Sequence, residues 1–196
     1  RELGDKRREG IHLGNLGLIY RQNGELDRAI EVYTQAIGIT QEIGNKRGEG
    51  IHLGNLGDIR FQQNRLEEAE AAFRKAIPIG DETYPLSAGA FRASLALLLA
   101  QKGQRDEAQE MLLTGEPQVV PHPEEHAKFL CKKGQVQLLE SEPEAAQKSL
   151  DQAKAIATER KLENDGEVTQ AIAELTALLD SPDDPDDPDE PVGEER

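Results

Sequence analysis

Apolar and small residues recur along this chain at helical spacing, and the pattern then starts over. From Ile11 to about Gln22, Leu13, Leu16, Gly17 and Tyr20 fall on one stripe. Asn23-Gly24 breaks the run, and a second stripe follows from about Glu25 with Leu26, Ala29, Ile30, Tyr33, Ala36 and Ile37, ending at Gly44. Two such stripes joined by a short turn predict a helical hairpin. The heptapeptide IHLGNLG at Ile11 to Gly17 then returns letter for letter at Ile51 to Gly57, and GDKRREG at Gly4 to Gly10 lines up with GNKRGEG at Gly44 to Gly50. A fixed period of this size marks a repeat array, in which each unit packs on its neighbours.

The second unit carries Leu53, Leu56 and Gly57 and then Leu66, Ala69, Phe73, Ala76 and Ile77, with Pro78 and Gly80 predicted to stop its second helix. Asp5 is a candidate N-cap for the first helix. Two later units are found by spacing. Gly17 precedes Ala29, Gly57 precedes Ala69, Ala96 precedes Ala108 and Gly134 precedes Ala146 by one constant interval. Each of those alanines is followed by a bulky residue (Tyr33, Phe73, Leu112, Leu150) and then by a small one (Ala36, Ala76, Gly115, Ala153). Small residues where helices cross let the backbones approach, while the bulky residue fills the gap to the next unit. Residues 115–123 (GEPQVVPHP) are read as a loop, with Pro123 in the first turn of the next helix. Residues 165–179 carry Val168, Ala171, Ile172, Leu175 and Leu179, the stripe of a capping helix.

These residues resemble the tetratricopeptide repeat. Its pattern is met by Leu13, Leu16-Gly17, Tyr20, Ala29 and Tyr33, and again by Leu53, Leu56-Gly57, Ala69 and Phe73. Arg60 stands where the aromatic of the first helix would be, and the period is forty residues where the family's usual one is thirty-four. The expected fold is all-α: a right-handed superhelix of about four hairpins, at residues 5–43, 45–80, 85–115 and 123–160, with a cap at 165–179. The segment 180–196, with SPDDPDDPDE, is expected to be a disordered acidic tail. Because the pattern opens inside a repeat, the chain is read as a piece of a longer protein.

Composition narrows the function. A hydrophobic content of 36 % with 4 % aromatic residues and no Trp suits stacked Ala- and Leu-rich helices better than a barrel or sandwich. The net charge is −15; residues 180–196 hold nine acidic residues and one arginine, which leaves the body at −7. An acidic body lacks the clustered cations that neutralise phosphates, which argues against a nucleic-acid partner. The longest apolar run, Ala93 to Ala100 interrupted by Ser94, is far below the ~20 residues of a membrane span. The lone Cys131 has no partner for an internal disulfide, which points to a reducing, cytoplasmic setting.

Other candidate chemistry gives way to structural readings. His122, Glu125 and His126 spell H-x-x-E-H, formally an inverted zinc-protease signature. Pro123 at a helix start leaves His122 at or before the N-cap, so the two histidines do not project from one face as ligands must. His12 and His52 are alike through duplication. Gly14, Gly17, Gly54 and Gly57 lie within helices and form no phosphate loop. Cys131 reads as an inert, buried or half-buried thiol. The tail could bind calcium or compete for a basic ligand, but its composition suits a solvating segment better.

The resemblance implies a concave groove, lined by the first helices, for a peptide or helix of a partner. Its expected wall is Ile11, Asn15, Leu18 and Gln22; Ile51, Asn55, Asp58 and Gln62; Ala90, Ser94, Leu97 and Gln101; then Lys128, Lys132, Gln135 and Leu139. By the same resemblance Asn15 and Asn55 would bond the ligand backbone, the alternative being solvated or repeat-to-repeat amides. Lys128 and Lys132 would receive an acidic group or chain terminus of the partner. The expected function is protein binding by a scaffold or sensor segment, part of a larger bacterial signalling protein, with no enzyme activity, cofactor, metal or small-molecule substrate. A structural spacer or self-assembly array is the alternative, and a zinc hydrolase through His122, Glu125 and His126 the remote one.

Overall fold

A computed structural model describes residues 2–162 and 164–180. Among these residues there are nine α-helices and no strand: α1 (Glu2–Gln22), α2 (Leu26–Glu42), α3 (Lys46–Gln62), α4 (Leu66–Thr83), α5 (Pro85–Gln101), α6 (Arg105–Val119), α7 (Pro123–Leu139), α8 (Pro143–Arg160) and α9 (Gly166–Asp180). Each odd helix packs on the even helix after it, and each hairpin packs on the next, so α1 to α8 make four hairpins in series. The result is a helical-repeat superhelix. α9 lies against α7 and α8 and buries Val168 and Leu175 there. Of the expected acidic tail at 180–196, Asp180 closes α9 and the rest lies outside the described residues.

Close approach of small residues holds each hairpin together. A Cβ added to Gly17 would stand 2.6 Å from the Tyr33 ring, and one on Gly57 would stand 2.8 Å from the Phe73 ring. Real carbon atoms do not come that close, so only hydrogen fits. Ala29, Ala69, Ala108 and Ala146, their partners at the crossings, are fully buried. The bulky residue after each alanine is buried as well: Tyr33, Phe73, Leu112 and Leu150.

Three local expectations are corrected. Pro78 and Gly80 do not stop α4, which runs on to Thr83. Nor is 115–123 a loop, because α6 continues through Pro117 to Val119. Asp5 lies inside α1 rather than capping it. A proline inside a helix removes one ladder bond, and packing outweighs that loss here. A Cβ on Gly80 would be 2.9 Å from the Ala88 Cβ, and one on Gly89 would be 2.8 Å from the Gly115 carbonyl oxygen. The glycines read as breakers are therefore contact points where α4 meets α5 and α5 meets α6, and buried Ile77 and Val119 pin the two proline-bearing turns.

Six helix ends share one geometry. A residue with positive φ is followed by an amide that donates five positions back, as in Asn45 to Thr40 at 2.8 Å and Leu162 to Ala157 at 2.8 Å. Glycine serves at positions 24, 44 and 103, whereas Asn64, Ser141 and Lys161 adopt the same conformation without it.

The first two units differ where their sequences agree. His52 is buried, with its ring 5.9 Å from that of Tyr33 and against Gly14, where an added Cβ would be 2.5 Å away. Phe91 fills the equivalent place over Gly54. The equivalent His12 of the first unit is exposed.

Gly57→Val should overpack the crossing with Phe73 by about 1–3 kcal/mol, seen as a lower midpoint in thermal unfolding; an unshifted midpoint would remove the close-approach account. Burial lowers the His52 pKa, so the unfolded chain binds the proton more readily. His52 thus costs stability as the pH falls through the ordinary histidine range near 6.5. His52→Phe, which copies the ring that Phe91 places over Gly54, should flatten the part of the stability profile between pH 7.5 and pH 5.5 (about one unit either side of that value), as measured by urea unfolding across the range.

Candidate functional site

The odd-numbered helices line a groove of about 750 Å³. Of the residues expected on its wall, Leu18, Gln22, Ile51, Asn55, Asp58 and Gln62 do line it, as do Ala90, Leu97, Lys128, Lys132 and Gln135. Ile11, Asn15, Gln101 and Leu139 are exposed but lie outside the groove lining. Ser94 is 1 % exposed and sits beneath the wall.

The floor is apolar, with Phe61, Leu86, Phe91 and Phe129 between the polar residues. Across it runs a row of charges from the end of α1 to the start of α9. Arg21 lies 3.9 Å from Asp58. The Ser94 hydroxyl donates to Asp58 Oδ1 at 2.7 Å and accepts from Lys132 Nζ at 2.5 Å. Lys128 Nζ reaches Glu125 at 2.7 Å and Glu167 at 2.8 Å. Arg21 Nη2 also donates to Glu167 Oε1 at 3.2 Å.

This row alters the picture of a cationic far end. Lys128 and Lys132 do not stand ready for an incoming acid, because internal carboxylates and the Ser94 hydroxyl already engage them. Burial works against the Lys128 ammonium, yet the Glu125 and Glu167 carboxylates outweigh it and raise its pKa. The Lys128 hydrogen bond in turn holds the Glu167 carboxyl below its ordinary range against the opposing effect of burial. Such a pair remains ionised over the neutral range. Asn55 is engaged too, since its Nδ2 donates to the Tyr33 hydroxyl of the preceding unit at 3.3 Å. That is the repeat-to-repeat alternative. Asn15 stands exposed on α1.

Several lining residues escape the sequence reading, among them Arg21, Glu167, Ala171 and Glu174. The last three were detectable. Advancing Lys128, Lys132 and Gln135 by one unit of thirty-nine residues gives Glu167, Ala171 and Glu174, so α9 presents the same face as the helices before it. Arg21 has no such signal, for its counterpart one unit on is Phe61.

The H-x-x-E-H residues disperse. His122 is the N-cap of α7, Glu125 pairs with Lys128, and His126 Nε2 faces Glu116 at 3.6 Å. Among the described residues no group of three or more His, Cys, Asp or Glu side chains is placed to hold a metal ion. Also among them, no helix is long and apolar enough to cross a membrane. Cys131 is buried between α7 and the cap, and burial pushes its thiol up to about 12.

Comparison with known proteins agrees with this architecture. Two family models match, both described as tetratricopeptide repeat, over residues 8–82 and 89–114. No curated protein matches the sequence. Among solved structures, the chain resembles BtubC (BKLC) from P. vanneervenii with a TM-score of 0.61 and 21 % identity, over 76 % of this chain and 63 % of BtubC. It also resembles a kinesin-light-chain-like protein of Podosopora anserina with nearly identical TPR-like repeats, at a TM-score of 0.58 and 18 % identity, covering 86 % of this chain and 92 % of that one. A single-substitution variant of that protein gives 0.59 and 18 %, covering 92 % and 95 %. The chain thus spans under two thirds of BtubC, and identities this low speak to the fold.

Burial of Cys131 has a direct readout. In the folded chain at pH 8 a water-soluble disulfide reagent should leave the thiol unmodified, and denaturant should expose it to stoichiometric reaction. Prompt labelling without denaturant would contradict the packing of α7 against α9.

Proposed function

Since the chain belongs to the tetratricopeptide repeat family, we propose that it is a protein-binding scaffold whose partner segment lies in the groove of the odd-numbered helices. The observation that carries this reading is the groove itself: an apolar floor with charged and amide groups along its walls, open along several units. An apolar floor supplies affinity, and fixed polar groups set orientation and register. The segment that fits is a helix or extended peptide. An acidic group on it would compete with Glu167 and Asp58 for Lys128, Lys132 and Arg21. The finer reading, a sensor segment within a larger bacterial signalling protein, is supported by the forty-residue unit length alone.

A spacer or self-assembly role is favoured by a different observation. Ile59 is fully buried by the preceding hairpin, while its counterpart Ile19 is 51 % exposed. That face of α1 has the composition of a unit interface. Light scattering during size exclusion separates the readings: ordered oligomers favour assembly, and a monomer leaves the groove as the binding surface.

The groove reading makes a specific demand on any partner recovered by crosslinking. Leu18→Asp combined with Ile51→Asp should weaken its binding by ~10-fold or more. Leu113→Asp, at a 78 % exposed site on α6 away from the groove, should leave it unchanged. Equal affinity of all three proteins in calorimetry would place the partner elsewhere.

A further inference from the structure

The charged row contains a link between the two ends of the array that no stacking rule requires. Arg21 and Glu167 are 146 residues apart and belong to the first and last helices of the array. In a repeat array each unit touches only its neighbours, so the ends are not held to each other by packing. The backbones of α1 and α9 do not come together here either. What joins them is a pair of side chains reaching across the groove at 3.2 Å.

Both ends of the link are anchored. Arg21, 20 % exposed, lies beside Asp58 of α3. Glu167 is fixed by Lys128 Nζ at 2.8 Å, and its backbone amide donates to the capping carboxylate of Asp165 at 3.0 Å. An arginine whose guanidinium also lies beside a second carboxylate, and a carboxylate held by a second cation, form a bridge with few degrees of freedom left to lose, which favours a persistent contact.

We propose that Arg21, Glu167 and Lys128 form a strap that holds the two ends of the superhelix together, so that the groove's width is governed by ionic pairing in addition to helix packing. Released, the ends swing apart by small rotations shared among the hairpin interfaces, and the groove widens. Formed, the strap keeps it narrow. The mechanism needs no bound partner, so it stands or falls independently of the binding role.

The full chain tests this with spin labels on Asn23→Cys and Ala173→Cys, both exposed sites near the ends. The buried thiol of Cys131 takes no label. Pulsed dipolar distance measurement should give a narrow distribution at low salt. Glu167→Gln should broaden it and shift it to longer distance, and Arg21→Gln should do the same. Combining the two should add nothing, because either removes the same bridge. Without substitution at Arg21 or Glu167, 1 M salt should produce the same opening, since screening lengths fall from about 30 Å at 0.01 M to about 3 Å at 1 M. Circular dichroism confirms that each variant is folded, and the salt series carries the test if a variant is not. An unchanged distribution in both the Glu167→Gln chain and high salt overturns the strap. Opening by salt without opening in folded Glu167→Gln assigns the closure to other pairs and overturns it as well.

Discussion

The repeat depends on crossings where one helix offers a hydrogen atom and its neighbour fills the space. Gly17 under Tyr33 and Gly57 under Phe73 are the clearest cases. Because interiors are packed as densely as organic crystals, a methyl group at such a point displaces a ring that has nowhere to go. Repeating the crossing along the chain fixes the separation of successive helices, and that separation lines the odd-numbered helices up along one groove. Backbone approach, rather than any polar contact, is thus the first determinant of the binding surface.

The groove inherits its shape from these crossings and its character from the residues between them. Its cations do not wait for a ligand; they are neutralised from within, by Glu167, Glu125 and Asp58. A partner gains the apolar floor of Phe61, Phe91 and Phe129 and must exchange charge partners on entry. Such a surface discriminates by the difference between the bonds a ligand makes and those it displaces.

Periodicity made the architecture legible in the sequence. The exact return of IHLGNLG and the constant interval from Gly or Ala to Ala mark the hairpins and the crossings, and the apolar stripe of residues 165–179 marks the cap. Local punctuation misled at Pro78, Gly80 and Gly115, since each carries a breaker signal while its tertiary neighbour decides the outcome. Groove positions on one helical stripe were readable, and continuing that stripe by one more unit reaches Glu167. Arg21 was not, because the contact that matters joins residues 146 apart and leaves no trace in spacing. Likewise Asn55 looks like a ligand donor in isolation and becomes a tie to Tyr33 only once the units are stacked.

Burial is distributed unevenly along the array. The cluster around α5 draws side chains from α3 to α7, whereas the cluster at the first hairpin consists of Ala29, Tyr33 and Ile59 with a few half-buried neighbours. Local opening therefore breaks the least side-chain packing at α1 and α2 and the most around α5, so protection of backbone amides against exchange rises from the first hairpin toward the middle.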